Sequence, residues 1–243
     1  FKSTSLWDGT NILDNEYTYD AAGNVVQEGS RNITYNLLNL TETITTSGRN
    51  FQKYYYLCDG TKLGVITDGY TVDYLEGCIY ITRDGQKPFL ESAPATFGRW
   101  IFVQNAHEGQ YVPRYYLNDY QGSVRAIVEK DAAGKNQVIE IRNYDPFGRP
   151  WTNAGTPVSD NRFQYNGKES LQAFGHMYLD YGARLYNPTT RRWLTQDPLA
   201  DQYYAISSYT YCVNNPVKYT DPNGKWIDDY FDYNGKYLGK DKP

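Results

Sequence analysis

Short runs of alternating apolar and polar residues recur along most of the chain and predict β-strands. Examples are ITYNLL, YTVDYL, CIYITR and QVIEIRNY, which are rich in Val, Ile, Tyr and Thr. Alternation of this kind places every second side chain on one face of a sheet, as half-buried strands require. Few windows show helical spacing, and GKESLQAFGHMYL is the best candidate for a short helical turn. The pattern predicts an all-β fold with minor helix.

Turn signals separate these runs and predict a meander of hairpins that forms a curled sheet. Asp or Asn followed by Gly supplies the positive φ values that tight hairpins need. Two segments, 85–109 and 149–163, lack the pattern, and we expect an irregular excursion in the first and a loop in the second. The signals are Asp-Gly at 8–9, 59–60, 68–69 and 84–85, Asn-Gly at 166–167, 223–224 and 234–235, and D-x-x-G at 20–23, 131–134 and 145–148.

Composition and charge exclude several classes of function. The 243 residues carry a net charge of -4, which argues against nucleic acid as a partner. No apolar run is long enough to span a membrane, and no signal segment opens the chain. Because the sequence begins at Phe1 rather than Met, we expect a fragment or a processed piece.

The candidate chemistry of the chain is sparse. Cys58, Cys78 and Cys212 are odd in number and widely spaced, so we expect packing residues rather than disulfides or a metal site. The motifs GxSxG, HExxH, GxGxxG and the P-loop are absent from the sequence, and no cofactor is expected. The 26 tyrosines suit half-buried strands, because a tyrosine ring packs while its hydroxyl reaches water.

Ordered motifs in the chain resemble the YD repeats and the repeat-associated core of bacterial RHS proteins, which are similar to Tc-toxin C subunits and animal teneurins. The likeness is loose over residues 17–66 and close over 111–225. The motifs that carry it are YDAAGN, YYLNDYQGSVRAIVEKDAAGK, YDPFGRP, FQYNGKE, YGARLYNPTTRRWLTQDPL and YTYCVNNPVKYTDPNGK.

The resemblance implies a scaffold: YD repeats spiral into a hollow shell, and the core closes one end around a C-terminal toxin domain. It divides this chain into YD-repeat hairpins at 1–110, the core at 111–225 and the start of a variable region at 226–243. The implied partners are that toxin domain and the adjoining repeats, with immunity or secretion-system proteins as further candidates. The implied location is secreted or at the cell surface. On the residues alone, a plain β sandwich with a tyrosine-rich surface stays open as the fold. The alternative function is a cell-surface adhesion or carbohydrate-binding β module, because aromatic platforms suit sugar rings.

Three Asp-Pro pairs raise the question of self-cleavage: Asp145-Pro146, Asp197-Pro198 and Asp221-Pro222. As local chemistry, DPFG and DPNG are good type I turns and need no further explanation. The resemblance implies an aspartyl autoprotease in which Asp197 and Asp221 are the catalytic carboxylates and the cut falls just after Gly224. Two nearby carboxylates suit this chemistry, because one keeps a proton as acid while the other acts as base.

The chain departs from the family pattern around both motifs. Ala200 stands in place of Gly, the spacer 201–220 is longer, and Lys225-Trp226 replaces an expected leucine. Without cleavage, both aspartates are turn residues and the chain is not an enzyme. Nearby, the segment YGARLYNPTTRRWL alternates apolar and basic residues. From it we predict structural roles for four residues, Arg184, Arg191, Arg192 and Trp193, in which the arginines pair with acidic residues on neighbouring strands.

Overall fold

A computed structural model of the chain is almost entirely β. It describes residues 4–7, 12–15, 17–46, 51–104, 109–151, 155–157, 160–173, 176–202, 204–225, 229–231 and 237–240. The structure describes only the backbone for residues 4–7, 12–15, 172–173, 176, 229–231 and 237–240. Within these residues no helix is long and apolar enough to cross a membrane.

The largest element is a 13-stranded antiparallel sheet, the main sheet, in which every strand pairs with its neighbour in sequence. It is not closed into a barrel, since β3 lies at one edge and β15 at the other. A separate pair, β1 (Thr4–Trp7) and β2 (Ile12–Asn15), precedes it. The main sheet consists of β3 (Tyr17–Tyr19), β4 (Val25–Glu28), β5 (Arg31–Tyr35), β6 (Thr41–Thr46), β7 (Phe51–Tyr56), β8 (Lys62–Thr67), β9 (Tyr70–Leu75), β10 (Cys78–Arg83), β11 (Phe89–Ala95), β12 (Gly98–Gln104), β13 (Gly109–Asn118), β14 (Val124–Lys130) and β15 (Asn136–Ile141).

The remaining elements are short. Three 3-10 turns occur, at Tyr165–Gly167, Ala200–Gln202 and Cys212–Asn214, and the described chain contains no α-helix. The strands are β16 (Asn143–Tyr144) with β17 (Pro150–Trp151), a four-stranded sheet of β18 (Glu169–Ala173), β19 (His176–Asp180), β20 (Leu185–Asn187) and β21 (Arg192–Trp193), and a three-stranded sheet of β22 (Tyr219–Thr220), β23 (Asp229–Phe231) and β24 (Tyr237–Lys240).

The turns of the main sheet follow the chemistry that the sequence predicts. Asp131 accepts the backbone N–H of Ala133 and Lys135 at 2.9 Å each through its Oδ1, and Gly134 has a φ of +77°. The same pattern recurs at Asp20 in the main sheet and at Asp145 in the separate β16–β17 hairpin. Turns of this kind fix the register of the hairpins that they join. The strand pairing confirms the prediction of an all-β meander of hairpins.

The segment 85–109 is not an irregular excursion, and that prediction is wrong. It contains β11 and β12, which pair with each other and with the flanking strands. The alternation is hidden because two inward positions are polar: Ser92 and Arg99 are both buried, and Arg99 Nη2 donates to Ser92 Oγ at 3.0 Å. The two polar side chains hydrogen-bond to each other and occupy buried positions where a strand normally has apolar residues.

The predicted helical turn in GKESLQAFGHMYL is also wrong, because most of this segment forms the hairpin β18–β19. Leu171 and Tyr178 pack against the main sheet, whereas Leu179 faces a second cluster on the other side. A sheet that is buried on both faces carries continuous rather than alternating apolar residues, and its sequence therefore resembles a helix.

Residues 160–225 form a cap that packs on one face of the main sheet. The contact creates two cores, an aliphatic one between sheet and cap and an aromatic one within the cap. The aliphatic cluster contains Val25, Ile33, Ile44, Tyr54, Val65, Val72, Ile79, Ile81, Leu171, Tyr178, Leu185 and Leu194. The aromatic cluster contains Tyr165, Leu179, Tyr181, Tyr186, Trp193, Tyr211 and Cys212.

Buried ions fix the position of the cap on the sheet. Lys62 of β8 reaches across to Glu169 Oε2 at 2.8 Å and to Asp180 Oδ2 at 2.6 Å. Glu28 of β4 is fully buried and accepts a hydrogen bond from Asn187 Nδ2 at 2.7 Å. Pairs of this kind hold one register, because any slip would strand a charge in the interior.

Candidate functional site

The Asp221 turn brings a buried carboxylate against the peptide bond that follows it. Asp221 directly follows β22 and is 2% exposed. Its Oδ1 accepts the backbone N–H of Gly224 at 2.7 Å and of Lys225 at 3.2 Å. Gly224 has a φ of +73°, and a Cβ at this position would lie 3.0 Å from the backbone nitrogen of Arg184. Glycine is therefore required at 224 by both conformation and space.

The Asp197 turn forms although its motif lacks glycine. Asp197 Oδ1 accepts the N–H of Leu199 at 2.8 Å, and its backbone oxygen accepts the N–H of Ala200 at 3.0 Å. The chain then continues directly into the 3-10 turn Ala200–Gln202. Because the backbone winds onward here instead of reversing through a left-handed residue, alanine fits where the family pattern has glycine.

Arg184 joins the two aspartates. Its Nη2 lies 2.9 Å from Asp197 Oδ2 and 3.0 Å from Asp221 Oδ2, so both carboxylates share one nitrogen. The guanidinium is 3% exposed and stacks 4.1 Å from the ring centroid of Trp193. Its Nη1 also donates to Ser208 O at 3.1 Å. The structure thus brings together the two aspartates that the sequence singled out.

The electrostatics of this group favour holding a proton. Burial raises the pKa of Asp221 above its usual value, and the nearby Asp197 adds to that rise, although Arg184 and the N–H of Gly224 oppose it. Two carboxylates against one guanidinium leave one negative charge in a largely buried position. A proton on Asp221 would neutralise that charge.

The carbonyl of Gly224 faces the same guanidinium. Arg184 Nε donates to Gly224 O at 2.6 Å, while Lys168 Nζ holds Pro222 O at 2.5 Å. A cavity of about 20 Å³ lies beside Asp197, Arg184 and Asp221, which is room for one water molecule. Arg184 and Asp221 therefore contact the oxygen and the nitrogen of the peptide bond between Gly224 and Lys225, and Asp197 shares the guanidinium of Arg184.

The other predicted residues have different surroundings. Asp145 lies in its own turn, where its Oδ2 is 3.7 Å from the exposed Arg191, and within the described structure it contacts neither Asp197 nor Asp221. Arg192 is exposed and Trp193 lies in the aromatic cluster. Sequence reasoning treated Arg184 as structural and missed its place between the aspartates. No spacing signal links it to them, since the contact depends on tertiary folding.

Metal chemistry finds no support in the described residues. They contain no group of three His, Cys, Asp or Glu side chains arranged to hold an ion. The cluster of Asp197, Asp221 and Arg184 offers two carboxylates and a cation, which suits proton transfer better than ion binding.

Comparisons with known proteins identify chains that are similar to this one in sequence. No protein-family model matches the chain. The tRNA nuclease WapA of Bacillus subtilis (strain 168) is 27% identical over 90% of this chain, and toxin subunit YenC2 of Yersinia entomophaga is 34% identical over 39% of it. The chain spans only 9% and 10% of these relatives, so it is similar to a small part of each.

Solved structures share the fold. The Tc holotoxin pore of Photorhabdus luminescens with a TccC3 mutation matches with a TM-score of 0.66 at 20% identity, covering 95% of this chain and 13% of that one. A crystal structure of TcdB2-TccC3-TEV matches with a TM-score of 0.63 at 22% identity over 88% of this chain and 12% of that one. At these identities the likeness establishes the fold of the chain and nothing further.

Proposed function

This chain belongs to the RHS/YD-repeat family, and we propose that it is the part of a toxin scaffold that encloses a C-terminal polypeptide and cuts itself free of it. Two features support the enclosing role: the open 13-stranded sheet and the cap that covers one of its faces. β3 and β15 are the two edge strands of the main sheet, where adjoining repeats of the parent chain would pair. The scaffold would act outside the cell or at its surface.

For the cutting step we propose the Gly224–Lys225 bond. The observation that carries this proposal is the shared contact of Asp197 and Asp221 with Arg184, whose Nε also holds the Gly224 oxygen. In this proposal the core at 111–225 is the enzyme, acting once on its own chain, and residues 226–243 begin the released region.

The proposed chemistry balances without a cofactor. Asp197 removes a proton from a water molecule, and the water oxygen attacks the carbonyl carbon of Gly224. Arg184 stabilises the charge that develops on the carbonyl oxygen. Asp221 Oδ1 accepts the Lys225 N–H at 3.2 Å, which holds the carboxyl group beside this nitrogen. Once the carbonyl carbon is tetrahedral the nitrogen becomes basic, Asp221 gives it a proton, and the carbon–nitrogen bond breaks.

The test uses the chain with its native residues past 243 and follows loss of the full-length band over time. We expect cutting in the wild type and none in Asp197→Asn or Asp221→Asn. Asp145→Asn is the matched control, because it changes an equivalent Asp-Pro turn that lies outside the candidate site, and it should cut at the wild-type rate. Equal cutting in Asp197→Asn and the wild type would refute the assignment. Circular dichroism checks that each variant keeps its β fold.

A further inference from the structure

A long groove lies between the main sheet and the cap, away from the Asp197–Asp221 site. It consists of two cavities of about 480 and 430 Å³ that share Glu91 and residues 160–162. Its lining runs from Tyr54 on β7 to Arg114 on β13. Adjacent strands lie about 4.8 Å apart, so the distance from β7 to β13 across the sheet is roughly 29 Å. An extended polypeptide of about nine residues has this length.

One end of the groove is cationic, although the whole chain is acidic. Two of its arginines are already paired, as in the contacts of Arg162 with Glu91 at 2.9 and 3.0 Å. Arg83 and Lys87 form no ion pair within the part of the chain that is described. The first cavity is lined by the cations Arg83, Lys87, Arg99, Arg114 and Arg162 against the acids Glu91 and Asp160.

Arg99 is the strongest sign that an anion belongs here. It is 7% exposed, and burial lowers its pKa. Its Nε and Nη2 donate to Ser92 Oγ, and Nη2 also donates to Gly77 O at 2.7 Å. These partners are neutral, and no carboxylate within salt-bridge distance balances the guanidinium in the described structure. A bound carboxylate would supply the missing charge.

The other end of the groove contains polar atoms that suit a peptide backbone. Gln164 and Ser170 are 3% and 6% exposed and line the second cavity. Gln164 Oε1 and Ser170 Oγ take no hydrogen-bond partner among the described residues. Buried polar atoms are normally paired, and an acceptor beside a hydroxyl matches a backbone N–H and C=O. Tyr54 and Tyr74 supply aromatic surface beside them.

We propose that this groove binds an extended, acidic polypeptide segment, with carboxylate side chains beside Arg99 and main chain beside Gln164. A single small anion would occupy only the cationic end and would leave the acceptor of Gln164 unpaired. We infer that this segment is part of the enclosed C-terminal polypeptide, and this part of the inference rests on the proposed function. The chemistry of binding does not depend on cutting.

The test measures binding in trans by fluorescence anisotropy, using the 243-residue chain with Asp197→Asn. The probe is a labelled peptide of about nine residues, the reach of the groove, with glutamates at one end and Tyr, Ser and Gly in the rest. We expect saturable binding, and no binding of the same peptide with lysines in place of glutamates. Arg83→Glu with Lys87→Glu should weaken binding by about tenfold or more. The control, Lys130→Glu with Lys135→Glu, makes the same change in net charge on β14 and the turn that follows it, and should stay within about twofold.

Two further arms decide between a peptide site and an anion site. Ser170→Ala should weaken peptide binding while the melting temperature stays the same or rises, because an unpaired buried hydroxyl is removed. Inorganic phosphate should compete no better than chloride at equal ionic strength. Equal weakening in both charge variants, unchanged affinity in Ser170→Ala, or displacement by low phosphate would each overturn the proposal. Loss of self-cleavage with intact peptide binding would reject only the proposed function.

Discussion

The main sheet and the cap bury their side chains by different means. The buried residues of the sheet are mostly aliphatic, such as Ile33 and Ile44, and each strand contacts its neighbour in sequence. The cap buries large aromatic rings, including Trp193 against Tyr181 at 5.1 Å between centroids and Tyr186 against Tyr211 at 4.2 Å. These rings come from separate strands and turns between Tyr181 and Tyr211.

This difference separates the scaffold from the site. Repeated local contacts share the stability of the sheet among many strands, so no single strand decides the fold. The cap depends on a few large side chains and buried ions, and one of them, Trp193, stacks on the Arg184 that pairs with Asp197 and Asp221. Changes in the cap should therefore cost more than changes in the turns of the sheet.

The largest effect is expected for Trp193→Ala. Trp193 is 1% exposed, and its loss leaves a cavity beside Tyr181 and removes the surface on which Arg184 stacks. We expect the free energy of unfolding to fall by roughly 3–5 kcal/mol. Urea unfolding measures this change. The control is Trp100→Ala at an exposed position of the main sheet, and an equal loss there would contradict the distinction between sheet and cap.

The next effect is expected for Lys62→Met, which keeps the packing of the side chain but leaves Asp180 without its cation and Glu169 with Arg162 alone, at 3.8 Å. We expect a loss of about 3 kcal/mol at neutral pH. Lys135→Met, at an exposed turn, is the matched control and should change stability little.

The pH dependence of the same variant sharpens the test. Burial raises the pKa of Asp180, but Lys62 and the N–H of Gly182 outweigh it and hold that pKa below the ordinary 3.8. The carboxylate therefore contributes stability above pH 3.8, and this is lost as pH falls through the folded value. Lys62→Met should show a smaller loss over that acid range. A parallel decline in wild type and variant would contradict the role given to the pair.

A smaller effect separates the site turn from a sheet turn. Gly224→Ala and Gly134→Ala place a side chain at similar φ values, +73° and +77°, but only Gly224 has neighbours within 4 Å of the added Cβ. Both should lose about 1 kcal/mol from backbone strain, and Gly224→Ala should lose about 1–2 kcal/mol more by displacing Arg184. Thermal unfolding compares them, and equal losses would show that the site turn is no more tightly packed than the sheet turn.

The smallest effect is a gain, expected for Glu76→Asn in the hairpin between β9 and β10. Glu76 has a φ of +50° before Gly77, a conformation that Asn adopts more readily. We expect the free energy of unfolding to rise by about 0.5–1 kcal/mol. Chemical unfolding of both proteins measures it, and a loss of stability would mean that the Glu76 side chain has a role beyond the turn.

The sequence predicts the sheet better than the cap, for a physical reason. The Asp131 turn and the strands beside it are specified by neighbouring residues, so their chemistry is visible locally. The Glu76-Gly77 turn was not predicted, because Glu is not a usual residue at positive φ. The segment with Ser92 and Arg99 was misjudged because a buried polar pair reads as a loop.

The site was predicted in part. Turn motifs and family resemblance singled out Asp197 and Asp221, and the structure brings both to Arg184. The contribution of Arg184 was missed, because its contacts arise from folding between distant segments. The cationic end of the groove was missed for the same reason, since Arg83 and Arg114 meet only when the strands align.

The most direct test of the central claim is the intact mass of the chain expressed with its native residues past Pro243. We expect two products, one ending at Gly224 and one beginning at Lys225, because Arg184 contacts the Gly224 oxygen and Asp221 contacts the Lys225 nitrogen. The range of about pH 4 to 8 covers the titration of a perturbed carboxylate pair. A cut at another bond, or an uncut chain throughout that range, would contradict the account and leave Asp221 as a turn residue.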